Sequence, residues 1–489
     1  MKEKSSKKKT IWLVVSVVVL CILVTSGIYS YTKFLKKSTA ELLDAVPADA
    51  TFVLQINDNE GFVKSIAPCM AYLEDFFSLD ALPGFEYFID ITRRNMQNDE
   101  SLVISGHTDE NGKQAVLLSM KMDELAYKHL IKELSVNMKD YSTFAGQKIY
   151  NVDTHYKNFK FTYHNGLFSA CSSQQVLEAA IKCLANEKCI AAQPDFKRLQ
   201  EVIYKNTKQN WLILQQQPFM ESHLAMMAEY YQLPFQSWMN RSKWSAYQIQ
   251  LTESEMILSG YSFTDADELS QSMETQGGGE THFPAQYIPA NITNYCSINF
   301  TDDHVYASQR QMADSVRLQF LKLHAQSIQL FYWEPDSCNV EFAIVQCNDT
   351  LEHTLDFLPD SLYADSITYY KRLPIYRSGI PHFAEALPMP TAAEMNYFMI
   401  NQGYYIFSES LGALKKYIDN CKDGKTLEKN QYYLFSKENL PTEYSYEVFY
   451  QNLDHTNSSF FPFRIFAYSF DEKMGDLLPN KIYIKFAVK

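Results

Sequence analysis

The sequence is short of what would advertise a ready-made site. Missing are the Gly-x-Ser-x-Gly nucleophile elbow, the Gly-x4-Gly-Lys-[Ser/Thr] phosphate loop, His-Glu-x-x-His, Gly-x-Gly-x-x-Gly and the EF-hand spacing. Each of those motifs works by placing particular groups at a fixed geometry, so their absence leaves no specific chemistry to expect and no cofactor. Glycine is also scarce, with 16 residues in 489, whereas tyrosine numbers 33. Such a balance argues against low-complexity or disordered stretches and for packed cores. No Cys-x-x-Cys pair occurs. Positive charge is in deficit over most of the chain: residues 38–489 hold 36 basic and 56 acidic side chains, a net charge of −20. A surface that acidic is repelled by phosphate backbones, so nucleic-acid binding is not expected.

What is present begins with Ile11–Tyr31, an apolar run without a charge. About 21 residues at roughly 1.5 Å each make a helix on the order of 32 Å long, enough to cross a bilayer. Lys2, Lys4, Lys7, Lys8 and Lys9 precede it, and Lys33, Lys36 and Lys37 follow. The larger positive charge before the run keeps residues 1–10 cytoplasmic and exports the rest, which makes the segment an uncleaved single-pass anchor of an inner membrane. A cleaved signal is the other reading, but the run is too long for one and Thr25-Ser26-Gly27 is a poor cleavage site. Cys21 would suit a lipoprotein only if a small residue preceded it, and Leu20 does not qualify. Residues 32–44 read as a stalk.

The exported part is expected to be α+β: two homologous halves, each a hairpin-rich antiparallel sheet with helices packed on it. Residues 45–263 form the first repeat and 287–489 the second, with a polar linker at 264–286 that contains Gly277-Gly278-Gly279. Val46-Pro47-Ala48-Asp49-Ala50-Thr51 is echoed by Ile288-Pro289-Ala290-Asn291-Ile292-Thr293. The Asn165-Gly166 hairpin is echoed at Asn401-Gln402-Gly403, and each is followed by a serine and an amphipathic helix. The strand Trp211–Gln215 is echoed by Tyr446–Gln451, and both halves close on a hairpin. The same elements recur in the same order, which is the mark of a duplication.

With these residues in view, the chain resembles a family of uncharacterised bacterial membrane-anchored proteins. In that family the anchor is followed by a Pro-Ala-Asp-Ala-like strand opening and a large domain of unknown function. The resemblance implies an envelope location and brings no catalytic residues. Asn291-Ile292 departs from the motif in the second half.

Eight cysteines lie beyond the run: Cys69, Cys171, Cys183, Cys189, Cys296, Cys338, Cys347 and Cys421. Export permits disulfides, but Cys338 and Cys347 bracket an extended run and stand too far apart to pair. Cys183 and Cys189 are the one pair that could meet, across a helix end, and buried thiols are the expectation for most of the others.

Candidate sites are few. Asp302-Asp303-His304 has metal-ligand character, yet its position at a predicted helix start favours capping. His155 and His164 flank a strand and read as solvent-facing residues beside a turn. Tyr230, Tyr231, Phe235, Trp238 and Trp244 form an aromatic run that could bind a sugar or a partner protein, or pack as core. Asp314-Ser315-Val316, Asp349-Thr350-Leu351, Asp360-Ser361-Leu362 and Asp365-Ser366-Ile367 resemble the short acceptor of a bacterial O-glycosylation system.

The function expected from these features is a membrane-anchored extracytoplasmic binding or scaffold protein without catalysis. Its partners would be the membrane, through the N-terminal helix, and an envelope protein or glycan. The alternative is an envelope hydrolase with a site in the cleft between the halves. The topology is directly testable: a reporter active only after export, fused behind Lys489, will be active, and an inactive fusion overturns the export reading.

Overall fold

The computed structural model describes residues 41–57, 61, 101–134, 140–153, 158–186, 189–203, 209–223, 242–264, 276, 284–310, 312–334, 340–347, 367–378, 383–387, 393–452, 463–472, 474–475 and 477–486. The expected anchor and nearly all of the stalk and the expected linker lie outside these residues. No helix among the described residues is long and apolar enough to cross a membrane.

The fold is mixed α+β and antiparallel. The strands are β1 Phe52–Ile56, β2 Leu102–Thr108, β3 Gln114–Lys121, β4 Tyr141–Phe144, β5 Gln147–Asp153, β6 Asn158–His164, β7 Leu167–Cys171, β8 Trp211–Gln215, β9 Ser242–Leu251 and β10 Glu255–Thr264. They continue as β11 Ile292–Asn299, β12 Ala325–Trp333, β13 Val340–Cys347, β14 Ile367–Tyr370, β15 Leu373–Arg377, β16 Tyr397–Asn401, β17 Tyr404–Ser408, β18 Tyr446–Gln451, β19 Phe463–Phe470 and β20 Leu477–Phe486. The helices are α1 Glu124–Glu133, α2 Gln174–Asn186, α3 Pro194–Ile203, α4 Gln216–His223, α5 Asp303–Gln309, α6 Asp314–Lys322, α7 Leu411–Lys422 and α8 Gln431–Asn439.

The chain divides into two compact units. One comprises Met1–Asp49, Pro83–Ile104 and Thr108–Gln193; the other comprises Ala50–Leu82, Ser105–His107 and Pro194–Lys489. In the first, strands run in the order β4-β5-β6-β7-β3-β2. Two of its hairpins turn through left-handed residues, Ala145-Gly146 and Asn165-Gly166, with φ between 47° and 79°. The Ser173 hydroxyl accepts from the Val176 N–H at 3.5 Å and so caps α2. The apolar stripe of that helix, Val176, Leu177, Ala180 and Ile181, buries against Ala115, Leu117, Ile149 and Cys171. The Ile190 N–H bonds the Val46 carbonyl at 2.9 Å, next to a bridge between Pro47 and Cys189.

In the second unit, Ser105–His107 of β2 starts a series that continues β1-β8-β9-β10-β20-β19-β18-β11-β12-β13-β17-β16-β15-β14. Gln402-Gly403 takes the left-handed turn between β16 and β17, and Ser410 caps α7 through the Ala413 N–H at 3.3 Å. Leu414, Tyr417 and Ile418 of α7 share a core with Phe342, Ile344, Ile406 and Met399. The Leu427 N–H bonds the Ile288 carbonyl at 2.7 Å beside a bridge between Pro289 and Thr426. Order, turns, caps and bridges thus read alike in the two lists.

Two features were not foreseen. The β14–β15 hairpin turns on Lys371 and Arg372, both at positive φ (49° and 71°), where neither glycine nor asparagine marks the turn. Gln276, inside the expected polar linker, is fully buried; its side-chain oxygen accepts from the backbone of Thr301 and Asp302 at 2.9 and 3.2 Å. The second strand of the hairpin that closes the second half is long, running ten residues from Leu477 to Phe486. Six cysteines are described, Cys171, Cys183, Cys189, Cys296, Cys347 and Cys421, and none is in a disulfide. Cys69 and Cys338 lie outside the described residues.

Strands β10 and β20 pair over nine positions, from Glu255↔Lys485 to Phe263↔Leu477. At Gly260 a Cβ would stand 1.9 Å from the Ala246 carbonyl oxygen on the neighbouring β9, so no side chain fits there. Gly260→Ala is therefore expected to cost about 3 kcal/mol or to prevent folding. Gly412→Ala, in the first turn of α7, meets only an ordinary contact at 3.6 Å and should gain about 0.5–1 kcal/mol. Denaturant melts of the two variants provide the comparison.

Candidate functional site

In an antiparallel sheet, residues directly opposite one another share a face. Through the ladders, Trp211 of β8 opposes Gln248 of β9, Gln248 opposes Ser259 of β10, and Ser259 opposes Lys481 of β20. Lys481 in turn opposes Ser469 of β19, and Ser469 opposes Glu447 of β18. Six adjacent strands therefore present a row of one tryptophan and five polar side chains on one face. At about 4.8 Å between strands the row runs on the order of 24 Å.

The two charges in this row are treated differently. Glu447 is fully buried, but the Lys437 ammonium of α8 meets its carboxylate at 2.7 Å and the Tyr295 hydroxyl donates to it. Such a pair balances desolvation against Coulomb attraction and hydrogen bonding. Lys481 has no such relief. It is half-buried, burial pulls its amine below the ordinary lysine value, and among the described residues it makes neither a hydrogen bond nor an ion pair. Glu447, two strands away, is already engaged.

Over this part of the row lies a half-open cavity of about 300 Å³. Its walls take Trp211, Gln248, Ser259 and Tyr261 from the first half of the chain. From the second half come Pro441, Glu443, Ser469, Phe470, Asp471, Pro479, Asn480 and Lys481. Two of these are nine-tenths or more buried, belong to the row, and carry a polar atom without a hydrogen-bond partner: the Trp211 indole N–H and the Ser469 hydroxyl. Buried polar groups normally find partners, and two exceptions in one row mark a place where the protein's own bonding is incomplete. Glu443 and Asp471 are exposed.

What the cavity lacks as an enzyme site is a nucleophile bonded to a base. Neither Ser259 nor Ser469 hydrogen-bonds Lys481. A serine–histidine bond does exist elsewhere, Ser105 Oγ to His107 Nε2 at 2.8 Å, but these residues are 0% and 1% exposed in β2 and no substrate can reach them.

The structure distributes the sequence-predicted residues as follows. Trp244 is fully buried, its ring edge-on to Phe196 at 5.5 Å, and so belongs to the core rather than to a binding surface. Tyr230, Tyr231, Phe235 and Trp238 lie outside the described residues. Asp302 caps α5, accepting from the His304 and Val305 N–H groups at 2.9 and 3.2 Å. No cluster of three metal-ligating side chains occurs among the described residues. His164 ends β6 beside its turn, with burial drawing its pKa down, while His155 lies outside the described residues. Asp314 opens α6 and pairs with Arg317 at 2.8 Å; of the other three acceptor-like tripeptides only Ile367, which starts β14, is among the described residues. Lys481 and Gln248 were passed over because nothing local distinguishes them. Only the register across strands more than 200 residues apart brings them together.

A second titrating group stands on β13. Burial, with Glu409 beside it, raises the Glu341 carboxyl to about 7, while the Tyr332 hydroxyl pulls the other way.

Comparison with known proteins adds no family. No family model matches the chain, and no curated protein does. Among solved structures, crystal form IV of TP0453 has a TM-score of 0.26 at 9% identity, covering 46% of this chain and 81% of that one. Crystal form I of TP0453 has a TM-score of 0.23 at 8% identity, covering 79% and 99%. Likenesses this low carry no argument about fold or function.

Both titrating groups yield tests whose signs follow from linkage. The folded state binds the Glu341 proton more tightly than the unfolded chain does, so stability falls as pH rises from about 4.5 to about 7. Glu341→Gln should raise Tm by about 2 °C at pH 8 and leave it unchanged at pH 4. The folded state holds the Lys481 proton less tightly, so its destabilising effect is complete at pH 7 and fades only as pH climbs toward 10.5. Lys481→Met should raise Tm by about 1–3 °C at pH 7. Calorimetric scans across pH check both, and a lower Tm for Lys481→Met would show that the amine has a stabilising partner.

Proposed function

We propose that the chain is a membrane-anchored, extracytoplasmic binding protein built from a duplicated α+β unit, with the cavity at Lys481 as its binding site. The observation that carries this reading is the cavity wall itself. Among the described residues it holds an unpaired ammonium and two buried polar atoms without partners, and no nucleophile bonded to a base. Groups left unsatisfied cost stability, and a binding partner is what would repay them.

Support for the duplication comes from the pairings. Numbering the second half from β11 to β20, each ladder there has a counterpart among β1 to β10: β13–β17 answers β3–β7, β11–β18 answers β1–β8, and β19–β20 answers β9–β10. Tyr150 stacks on Phe161 at 5.2 Å, and at the matching register Tyr376 stacks on Phe398 at 5.1 Å. Support for anchoring comes from Ile11–Tyr31 and the eight flanking lysines, which place the protein in an inner membrane with its bulk exported. The resemblance to anchored envelope proteins agrees. Partners are then the membrane and an envelope protein or glycan, with nucleic acid disfavoured by the net charge of −20 beyond residue 37. The hydrolase alternative has one observation behind it, the Ser105–His107 bond, and the burial of that pair counts against it.

A photo-crosslinking residue at Tyr261, in the cavity wall, will give a discrete adduct in cells that express the protein; the same residue at Tyr369, 71% exposed on β14, will not. Equal labelling from both positions overturns the cavity as the binding site. Ester or glycoside hydrolysis that is lost in Ser105→Ala would overturn the non-catalytic reading.

A further inference from the structure

The chemistry of the ligand can be read from the row of side chains beneath the cavity. Trp211, Gln248, Ser259, Lys481 and Ser469 succeed one another on five adjacent strands. All five carry hydrogen-bond donors, an indole N–H, a carboxamide, two hydroxyls and an ammonium. None of the five side chains donates a hydrogen bond to another of the described residues. On the opposite face of the same strands polar side chains bond one another: Ser245 bonds Ser262 at 2.7 Å, and the Asn480 amide bonds Ser262 at 2.9 Å. Unpartnered donors occur elsewhere too, at Thr162 and Trp244, but these five follow one another in one line along the cavity floor.

We propose that this cavity binds a small sugar acid, a polyhydroxylated ring bearing a single carboxylate, with the carboxylate on Lys481. This rests on the reading of the cavity as a binding site. A line of donors calls for a ligand rich in acceptor oxygens. The only cation in the line calls for a negative group placed among them. A monoanion suits the site better than a dianion, because Glu443 and Asp471 stand in the same wall and oppose further negative charge. Size agrees: about 300 Å³ has room for roughly ten water molecules at about 30 Å³ each, and because bonded atoms pack closer than separate waters this accommodates a single monosaccharide. Tyr261 and the flanking Pro441 and Pro479 supply apolar surface of the kind against which the C–H faces of a sugar pack. The half-buried amine gains most from such a ligand, since a counter-ion restores what burial removed.

Three sugars that differ only in charge separate the possibilities: galacturonate, galactose and galactosamine. Binding to the full-length protein in detergent is followed by ligand-observed NMR, and occupancy of the site by protection of Lys481 from acylation, read by mass spectrometry. Galacturonate should bind at least tenfold more tightly than galactose and should protect Lys481, and galactosamine should do neither. Lys481→Met should weaken galacturonate at least tenfold without changing galactose, Lys481→Arg should hold it within about threefold, and Ser259→Ala should weaken it several-fold. Galactose or galactosamine protecting Lys481 as well as galacturonate would overturn the sugar-acid assignment and leave the cavity as a binding site. Protection by none of the three also overturns the assignment, and the crosslink at Tyr261 then decides separately whether the cavity binds anything. Galacturonate binding that Lys481→Met leaves intact places the ligand elsewhere and ends the proposal.

Discussion

The ladder between β10 and β20 is the constraint on which the rest of the second compact unit depends. Nine opposed pairs tie the closing hairpin at residues 242–264 to the one at 463–486. Gly260 lets the backbones of β9 and β10 approach where a methyl group would collide with Ala246. At one end Glu255 accepts from Tyr483 at 2.8 Å and from Lys485 at 2.7 Å. Burial pushes that carboxyl up, but the two bonds outweigh it and hold it below the ordinary value. Further along, Asn480 reaches across to Ser262. Strand pairing over nine residues leaves no freedom to slip, because a shift of one position would turn Lys481 to the opposite face of the sheet and bring a buried neighbour out of the core.

The same ladder explains what could and could not be read from sequence. Asn165-Gly166 and Gln402-Gly403 are legible because positive φ is a local demand that few residues meet, and Ser173 and Ser410 because a cap is satisfied within three residues. Alternation and helical spacing located most of the described strands and helices. The Lys371-Arg372 turn escaped notice because two long cationic side chains are a poor signal for left-handed backbone. There Lys371 is held by its ion pair with Asp419 at 2.6 Å, a contact made 48 positions away. The aromatic run left two readings open because bulky residues suit a core as well as a surface; Trp244 takes the core one, edge-on to Phe196. The cavity was not legible at all. Its floor exists only once the register is known, and register between β10 and β20 is a property of two segments about 220 residues apart.

Placement of charge separates structure from function in this sheet. Glu447 and Lys437 are a buried pair with a tyrosine in support, and removing either partner would leave the other uncompensated at a cost of about 3–5 kcal/mol. The cost falls on Glu447, which is fully buried, whereas Lys437 keeps part of its side chain in solvent; a carboxylate so supported is retained for the fold. Lys481, one ladder step beyond Ser469, has the opposite character: half-buried, uncompensated, and beside open volume. A methionine there would pack without any electrostatic penalty. Groups that lower stability where an apolar residue would raise it are the ones to examine for binding.

The proposed duplication gives the cavity a particular location. Carrying the correspondence of Pro47 with Pro289 through the ladders matches Trp211 with Glu447, Gln248 with Ser469, and Ser259 with Lys481. The row then reads as a palindrome of positions whose centre falls between Ser259 and Lys481, two equivalent residues facing each other across the joint. In an identical pair of repeats the central position would hold the same side chain twice. Two lysines there would repel across about 5 Å, and two serines would offer no charge to a ligand. On that reading the one ammonium, Lys481, faces a hydroxyl, Ser259, and the cavity lies beside the pair at which the two proposed repeats meet.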